Sequence, residues 1–161
     1  MREKRLKAAA LLCAVLFVLG LCACSAEKTE VTMADFETAV AKTGYTLYDD
    51  GVDYEKQGID LEEARVALSE DEENRVAFYR CADKESAQRL YEVLGTELEE
   101  AVNTAEDGED RSFTGENYQC QGAQCDSVYF YRVQVEKTVL WAKGNKQGRE
   151  VITDLVLGLG Y

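Results

Sequence analysis

One absence limits the chemistry available to this chain: among its 161 residues there is no histidine. Without an imidazole, the Ser-His-Asp and Cys-His arrangements and the H-E-x-x-H metal site are excluded. A hydroxyl or thiol such as Ser127 or Cys81 then lacks the usual activating base. Carboxylates are abundant, with 31 Asp and Glu, but no spacing singles out a glycosidase pair, and a solvated acidic surface accounts for them. The clusters Asp49, Asp50, Asp53 and Glu106, Asp107, Glu109, Asp110 carry hard oxygen ligands, yet neither follows the D-x-[DN]-x-[DN]-G calcium pattern. The segment Lys143-Gly144-Asn145-Lys146-Gln147-Gly148-Arg149 could hold an anion at a helix start, but it lacks the G-x-x-x-x-G-K-[ST] register and reads more simply as a basic turn. No catalytic residue, metal ligand or cofactor site is assigned.

Two constellations remain open. In Cys120-Gln121-Gly122-Ala123-Gln124-Cys125 the cysteines flank a four-residue, glycine-containing stretch. On a hairpin they could face each other and form a disulfide in an oxidising compartment, or stand as two free thiols in a reducing one. There is no C-x-x-C motif to suggest a redox or zinc site. Tyr129 and Tyr131 alternate along one strand-like run and Trp141 lies in the next. The three rings could therefore make a stacking face for glycan or peptide, or pack as core against a helix. If the platform exists, Trp141→Ala should spare folding and abolish binding to cell-wall fragments.

The amino-terminal 23 residues differ from the rest. Arg2, Lys4, Arg5 and Lys7 precede an uncharged stretch at residues 8–23, the n-region and h-region of an export signal. That stretch is shorter than the roughly 20 residues a permanent transmembrane helix needs. It ends in Leu21-Cys22-Ala23-Cys24-Ser25, which resembles the lipobox of bacterial lipoproteins: Leu at −3, a small residue at −1, then the modified cysteine. The resemblance implies cleavage after Ala23 and a diacylglyceryl thioether on Cys24. Cys22 fits less well, because Leu21 would fill its small-residue slot. Two acyl chains give stable attachment where one is marginal. The expected organisation is a signal peptide at 1–23, a lipidated cysteine with a short tether at 24–31, and one domain at 32–161.

Removing the signal leaves 14 basic against 30 acidic residues, a formal charge of −16. Such a domain is repelled by nucleic-acid phosphate, so nucleic acid is not an expected partner. The expected location is the outer face of the cell membrane, held by the lipid anchor. The expected partner is an envelope protein or cell-wall glycan, and the role non-catalytic binding; a small envelope enzyme using carboxylate or Ser/Lys chemistry is the alternative.

The elements that must position these residues follow from periodicity. Thr32 and Asp35 form a capping box, with Val31 and Phe36 as a hydrophobic staple, and Gly44 is a natural stop for the helix they begin. A short strand follows at 45–48, then a loop at 54–63. Runs 64–69 and 75–81 form a hairpin around an acidic turn, with Val66, Leu68, Val76 and Phe78 inward. After Asp83 as N-cap, Ala87, Leu90, Tyr91, Leu94, Leu98, Ala101 and Val102 make the apolar stripe of a long helix. Strand-like runs at 112–120, 124–135 and 138–143 come next, and Ile152, Leu155, Val156 and Leu159 mark a final helix. The expected fold is α+β, a two-layer sandwich in the order α-β-β-β-α-β-β-β-α, with Gly44-Tyr45 and Gly160-Tyr161 hinting at a duplicated unit. This layout and phrases such as Arg132-Val-Gln-Val-Glu-Lys-Thr138-Val-Leu-Trp141 resemble small uncharacterised lipoproteins of anaerobic Gram-positive bacteria, a resemblance that implies no activity.

Overall fold

The computed structural model describes residues 27–161; Cys24 and the rest of the predicted signal lie outside the described residues. Helix α1 (Met33–Val40) starts as expected. The Thr32 side chain accepts from the Asp35 backbone, and the Asp35 carboxylate accepts from the Thr32 backbone N–H. Strand β1 (Thr46–Asp49) leads through a 3-10 turn (Glu55–Gln57) into the hairpin β2 (Leu61–Leu68) and β3 (Arg75–Cys81). Helix α2 (Lys84–Thr104) is capped by Asp83, whose side chain accepts from the Ser86 N–H at 2.7 Å. Strands β4 (Glu109–Thr114), β5 (Tyr118–Cys125), β6 (Val128–Val135) and β7 (Thr138–Asn145) form a meander, and helix α3 (Gly148–Gly158) closes the chain.

All seven strands form one antiparallel sheet in the order β1-β2-β3-β7-β6-β5-β4. The expected three strands after α2 are four. Two runs that read as continuous are each broken by a turn, at residues 115–117 and at Asp126-Ser127. Neither break carries proline. Asp126 and later Glu136 take positive φ at the head of two-residue turns, a conformation that Asp tolerates and that Glu does not announce.

Apolar residues on alternate positions go to two separate cores, so the helices cover both faces of the sheet. Phe36 and Val40 of α1 and Ile152, Leu155 and Val156 of α3 pack on Val76, Phe78, Leu140 and Ala142. Phe36 and Phe78 stack with ring centres 5.2 Å apart. Ala87, Leu90, Tyr91 and Leu98 of α2 pack on the other face, against Ala77, Tyr79, Val139 and Trp141. The two-layer expectation is thus corrected to three layers. The hairpin alternation placed Val66 and Leu68 together with Val76 and Phe78, but the register pairs Val66 with Ala77 and sends the two sets to opposite faces, both buried.

The duplication hint also fails on geometry. Because β3 and β7 are antiparallel neighbours, a two-fold relating the two meanders would stand perpendicular to the sheet and keep corresponding helices on one face. Helices α1 and α2, which lead the two meanders, lie on opposite faces. Gly44 and Gly160 do share φ near +80°, the left-handed exit that glycine allows, so the shared dipeptide reports helix termination.

The amino-terminal segment is pinned to the domain earlier than the expected tether boundary. The Lys28 N–H donates to the Asn117 side chain at 3.0 Å, and Asn117 Nδ2 returns a bond to the Lys28 carbonyl at 2.7 Å. The Lys137 N–H donates to the Glu30 carboxylate at 2.7 Å, and the Val31 N–H donates to the Tyr161 hydroxyl at 3.3 Å. Only residues 25–27 stand between Cys24 and this clamp, a reach of roughly 14 Å. The clamp sits at the end of the sheet that carries the β4–β5 and β6–β7 turns.

Candidate functional site

Both faces of β5 and β6 begin from the same alternation, but they are covered unequally. Under α2, Arg132 is 6% exposed and fully engaged. Its Nη1 donates to the Tyr91 carbonyl at 2.7 Å, its Nε to Gln121 Oε1 at 2.9 Å, and its Nη2 reaches the Glu99 carboxylate at 3.2 Å. The guanidinium also lies 4.2 Å from the Tyr91 ring centre. It passes beneath the helix at Gly95, where a Cβ would stand 1.3 Å from Nη1. A buried charge held by this many partners is a structural pin.

On the opposite face of the same strands Tyr118, Val133 and Val135 are buried in the core with α1 and α3, and the stretch of β4, β5 and β6 away from them is bordered by the start of α3. Here Glu109, Arg111 and Phe113 of β4 face Tyr129 and Tyr131 of β6 across Cys120, Gly122 and Gln124 of β5. Opposed residues of antiparallel strands share a face, so the outer rows form two walls two strand spacings apart, about 10 Å. Gly122, paired with both Arg111 and Tyr131, leaves the middle of the floor without a side chain. The result is an open groove of about 370 Å³ running along the strands.

Rings and guanidinium groups dominate its lining. Phe113 is 42% exposed and Tyr129 and Tyr131 are half-buried. Arg149, in the first turn of α3, stands 5.3 Å from the Tyr129 ring centre and donates to Gln124 Oε1 at 3.3 Å. Burial raises the hydroxyl pKa of both tyrosines. For Tyr129 the nearby Arg149 charge and a bond with Thr153 work against the rise. Both hydroxyls therefore stay protonated at neutral pH. Arg65, Arg75, Arg80, Arg89 and Arg132 each pair with a carboxylate, whereas Arg111 and Arg149 have no ion-pair partner among the described residues.

The predicted stacking face is therefore divided. Tyr129 and Tyr131 line the groove, but Trp141 pairs with Arg132 in the register and points to the other face. It is 6% exposed there, packed in the α2 core. The reason is a register offset of one: strand alternation places two rings on a face, and only the pairing says which face the next strand's ring joins. The Trp141 test proposed from the sequence consequently probes the core.

Of the two alternatives open for Cys120 and Cys125, the disulfide is contradicted. Both residues lie in β5, five positions apart, so they point to opposite faces with Cα atoms roughly 17 Å apart; a disulfide needs them within about 7 Å. Cys120 lines the groove, while Cys125 and Cys81 are buried on the α2 side. The basic segment before α3 is no anion cradle either. The Asn145 side chain accepts from the Gln147 and Gly148 N–H groups, and Asn74 fills the space beside Gly148.

A buried carboxylate exists at Asp50, whose side chain is 4% exposed. It accepts from the Tyr79 hydroxyl at 2.6 Å and pairs with Arg75 at 3.4 Å, so it is held in a structural bond. Among the described residues, no group of three His, Cys, Asp or Glu side chains is gathered for a metal, and no helix is long and apolar enough to cross a membrane.

Sequence reading missed Arg111, Phe113, Gly122 and Arg149. Glu109, Arg111 and Phe113 do alternate, but Glu109 falls within the acidic cluster at 106–110, outside the strand-like run at 112–120, and Arg149 closes the basic turn at 143–149.

No protein-family model matches the chain, and no curated protein matches it. Among solved structures, a GTP-binding regulator from Thermotoga maritima is similar with a TM-score of 0.49 at 10% identity, covering 80% of this chain and 87% of that one. Mycobacterium tuberculosis LppA, assigned as a lipoprotein, has a TM-score of 0.30 at 12% identity, covering 74% of this chain and 75% of that one. Likeness at this level carries no argument about fold or activity.

Proposed function

We propose that this protein is a lipoprotein tethered through Cys24 to the outer face of the cell membrane, and that its domain binds an envelope component in the groove between β4 and β6 without catalysing a reaction. The observation that carries the reading is the groove itself. Three aromatic rings line an uncovered sheet face, and the one carboxylate there, Glu109, has no second acid or activated nucleophile beside it. Aromatic side chains present a large apolar area at low entropic cost, which suits a recognition surface. The anchor rests on Leu21-Cys22-Ala23-Cys24.

Two measurements test the two halves. Replacing Cys24→Ser should move the chain from the membrane fraction to the soluble fraction; retention in the membrane would sink the anchor. Isolated cell-wall material should retain the full chain, and the Tyr131→Leu and Phe113→Ser variants should be released. Equal retention of all three would remove the groove from the reading.

A further inference from the structure

We infer that the groove takes an anionic carbohydrate, a run of sugar rings bearing carboxylate or phosphate, presented from the side away from the membrane. The inference rests on the binding role proposed above and adds the ligand's charge, its class and its direction of approach.

The charge argument starts from a contrast within the chain. Five of the seven described arginines hold a carboxylate, in a domain where acids outnumber bases about two to one. The two that do not, Arg111 and Arg149, line the same groove from different elements, β4 and the start of α3. An acidic protein has carboxylates to spare for pairing, so two guanidinium groups without an ion-pair partner among the described residues, against the single groove carboxylate of Glu109, leave this concave surface complementary to an anion from outside. The overall −16 charge does not cancel this, because at physiological salt fields are screened beyond about 8 Å and contacts in the groove are set by its own side chains. Guanidinium groups offer planar paired donors that match carboxylate and phosphate alike.

The class follows from the rings and the shape. Exposed Phe113 and the half-buried rings of Tyr129 and Tyr131 line the groove with aromatic surface whose negative quadrupole suits the C–H faces of sugar rings. A peptide would find its main-chain partners on the free edge of β4, outside the groove, whereas β5 at the groove floor is paired on both sides and offers no free strand edge.

Direction follows from the clamp. Residues Lys28 and Glu30 are held at the Asn117 and Lys137 turns, whereas Gln124, Tyr129 and Arg149 lie at the opposite end of β5 and β6, roughly 20 Å further along the strands. With only three residues between Cys24 and the clamp, lipid headgroups meet the clamped end and the arginines face outward.

The test uses the full chain in neutral detergent and four probes: a uronic-acid oligomer, a sugar-phosphate oligomer, a neutral oligomer of equal length, and a poly-glutamate peptide of equal charge. At least one anionic sugar should bind about tenfold tighter than the neutral one. Arg111→Gln and Arg149→Gln should each weaken that binding about tenfold and flatten its salt dependence, with unchanged melting temperature. The two anionic arms tell carboxylate from phosphate. Equal affinity for charged and neutral sugar, lost in Tyr131→Leu, would overturn the inference and leave the binding role standing. Tighter binding of poly-glutamate would overturn the carbohydrate class. If no sugar binds while cell-wall material still retains the chain independently of both arginines, the inference alone fails; if that retention is also absent, the binding role fails with it.

Discussion

Tyr131 and Arg132 are neighbours in one strand and live in opposite surroundings. The arginine lies beneath a 21-residue helix with each end of its guanidinium engaged, while the tyrosine borders a groove whose own arginines have no ion-pair partner among the described residues. The sheet is the same on both sides, and only its cover differs. Where a helix closes over Arg132, its guanidinium finds partners within the fold and the residue becomes structural. Beyond Tyr118, Val133 and Val135, where the core under α1 and α3 ends, Arg111 and Arg149 stand without a carboxylate partner, and an anion from outside is the partner proposed for them.

The sharpest way to break this contrast is to disturb the pin on the covered face. Arg132→Met strands Gln121 and the Tyr91 carbonyl, and Gly95→Ala drives the guanidinium off its partners; each should cost about 3 kcal/mol in urea denaturation. The double variant should cost much less than the two together, since both remove the same contact. Full additivity would show that Arg132 does not pass beneath Gly95.

A smaller effect concerns the caps that fix the two helical covers. Hydrogen bonds to the Ser86 backbone hold the Asp83 carboxyl below its ordinary pKa, and bonds with Thr32 do the same for Asp35. A depressed folded-state pKa means that the stability from each cap is complete above the unfolded value, near 3.9, and is lost as pH falls through the lowered folded value. The melting temperature should therefore drop on acidification below about pH 4. In Asp83→Asn, which keeps an acceptor without a charge, the drop should be shallower. Parallel curves for the two proteins would remove Asp83 from the acid response.

The smallest effect is chemical and leaves stability unchanged. Burial pushes the Cys81 thiol up to about 12 and also raises Cys125, both on the covered side. At pH 8 an alkylating reagent should label Cys120 in the groove first and leave Cys81 unmodified in the folded protein. Reductant should not shift the melting temperature, because Cys120 and Cys125 are too far apart to be joined. Early labelling of Cys81 would show that the covered face opens readily.

Much of this molecule is legible in its residues taken locally. The Thr32 and Asp83 caps, the stripe from Ala87 to Leu98, the span of β3 and the start of α3 at Gly148 all depend on spacing within a few residues, and spacing is what a sequence displays. Charge and the absence of histidine likewise bound the chemistry without reference to a fold. Which alternate residues would meet belonged to the tertiary structure. Trp141 left the tyrosines because β7 pairs Trp141 with Arg132, and the two cysteines separated because 120–125 is the body of a strand. Two cores appeared because the helices divided between the faces of the sheet. A strand's period of two assigns its residues to two faces without saying which face a helix will cover. That choice is made by long-range packing, and here it decides which arginine is a buried pin and which stand in the groove without a carboxylate partner.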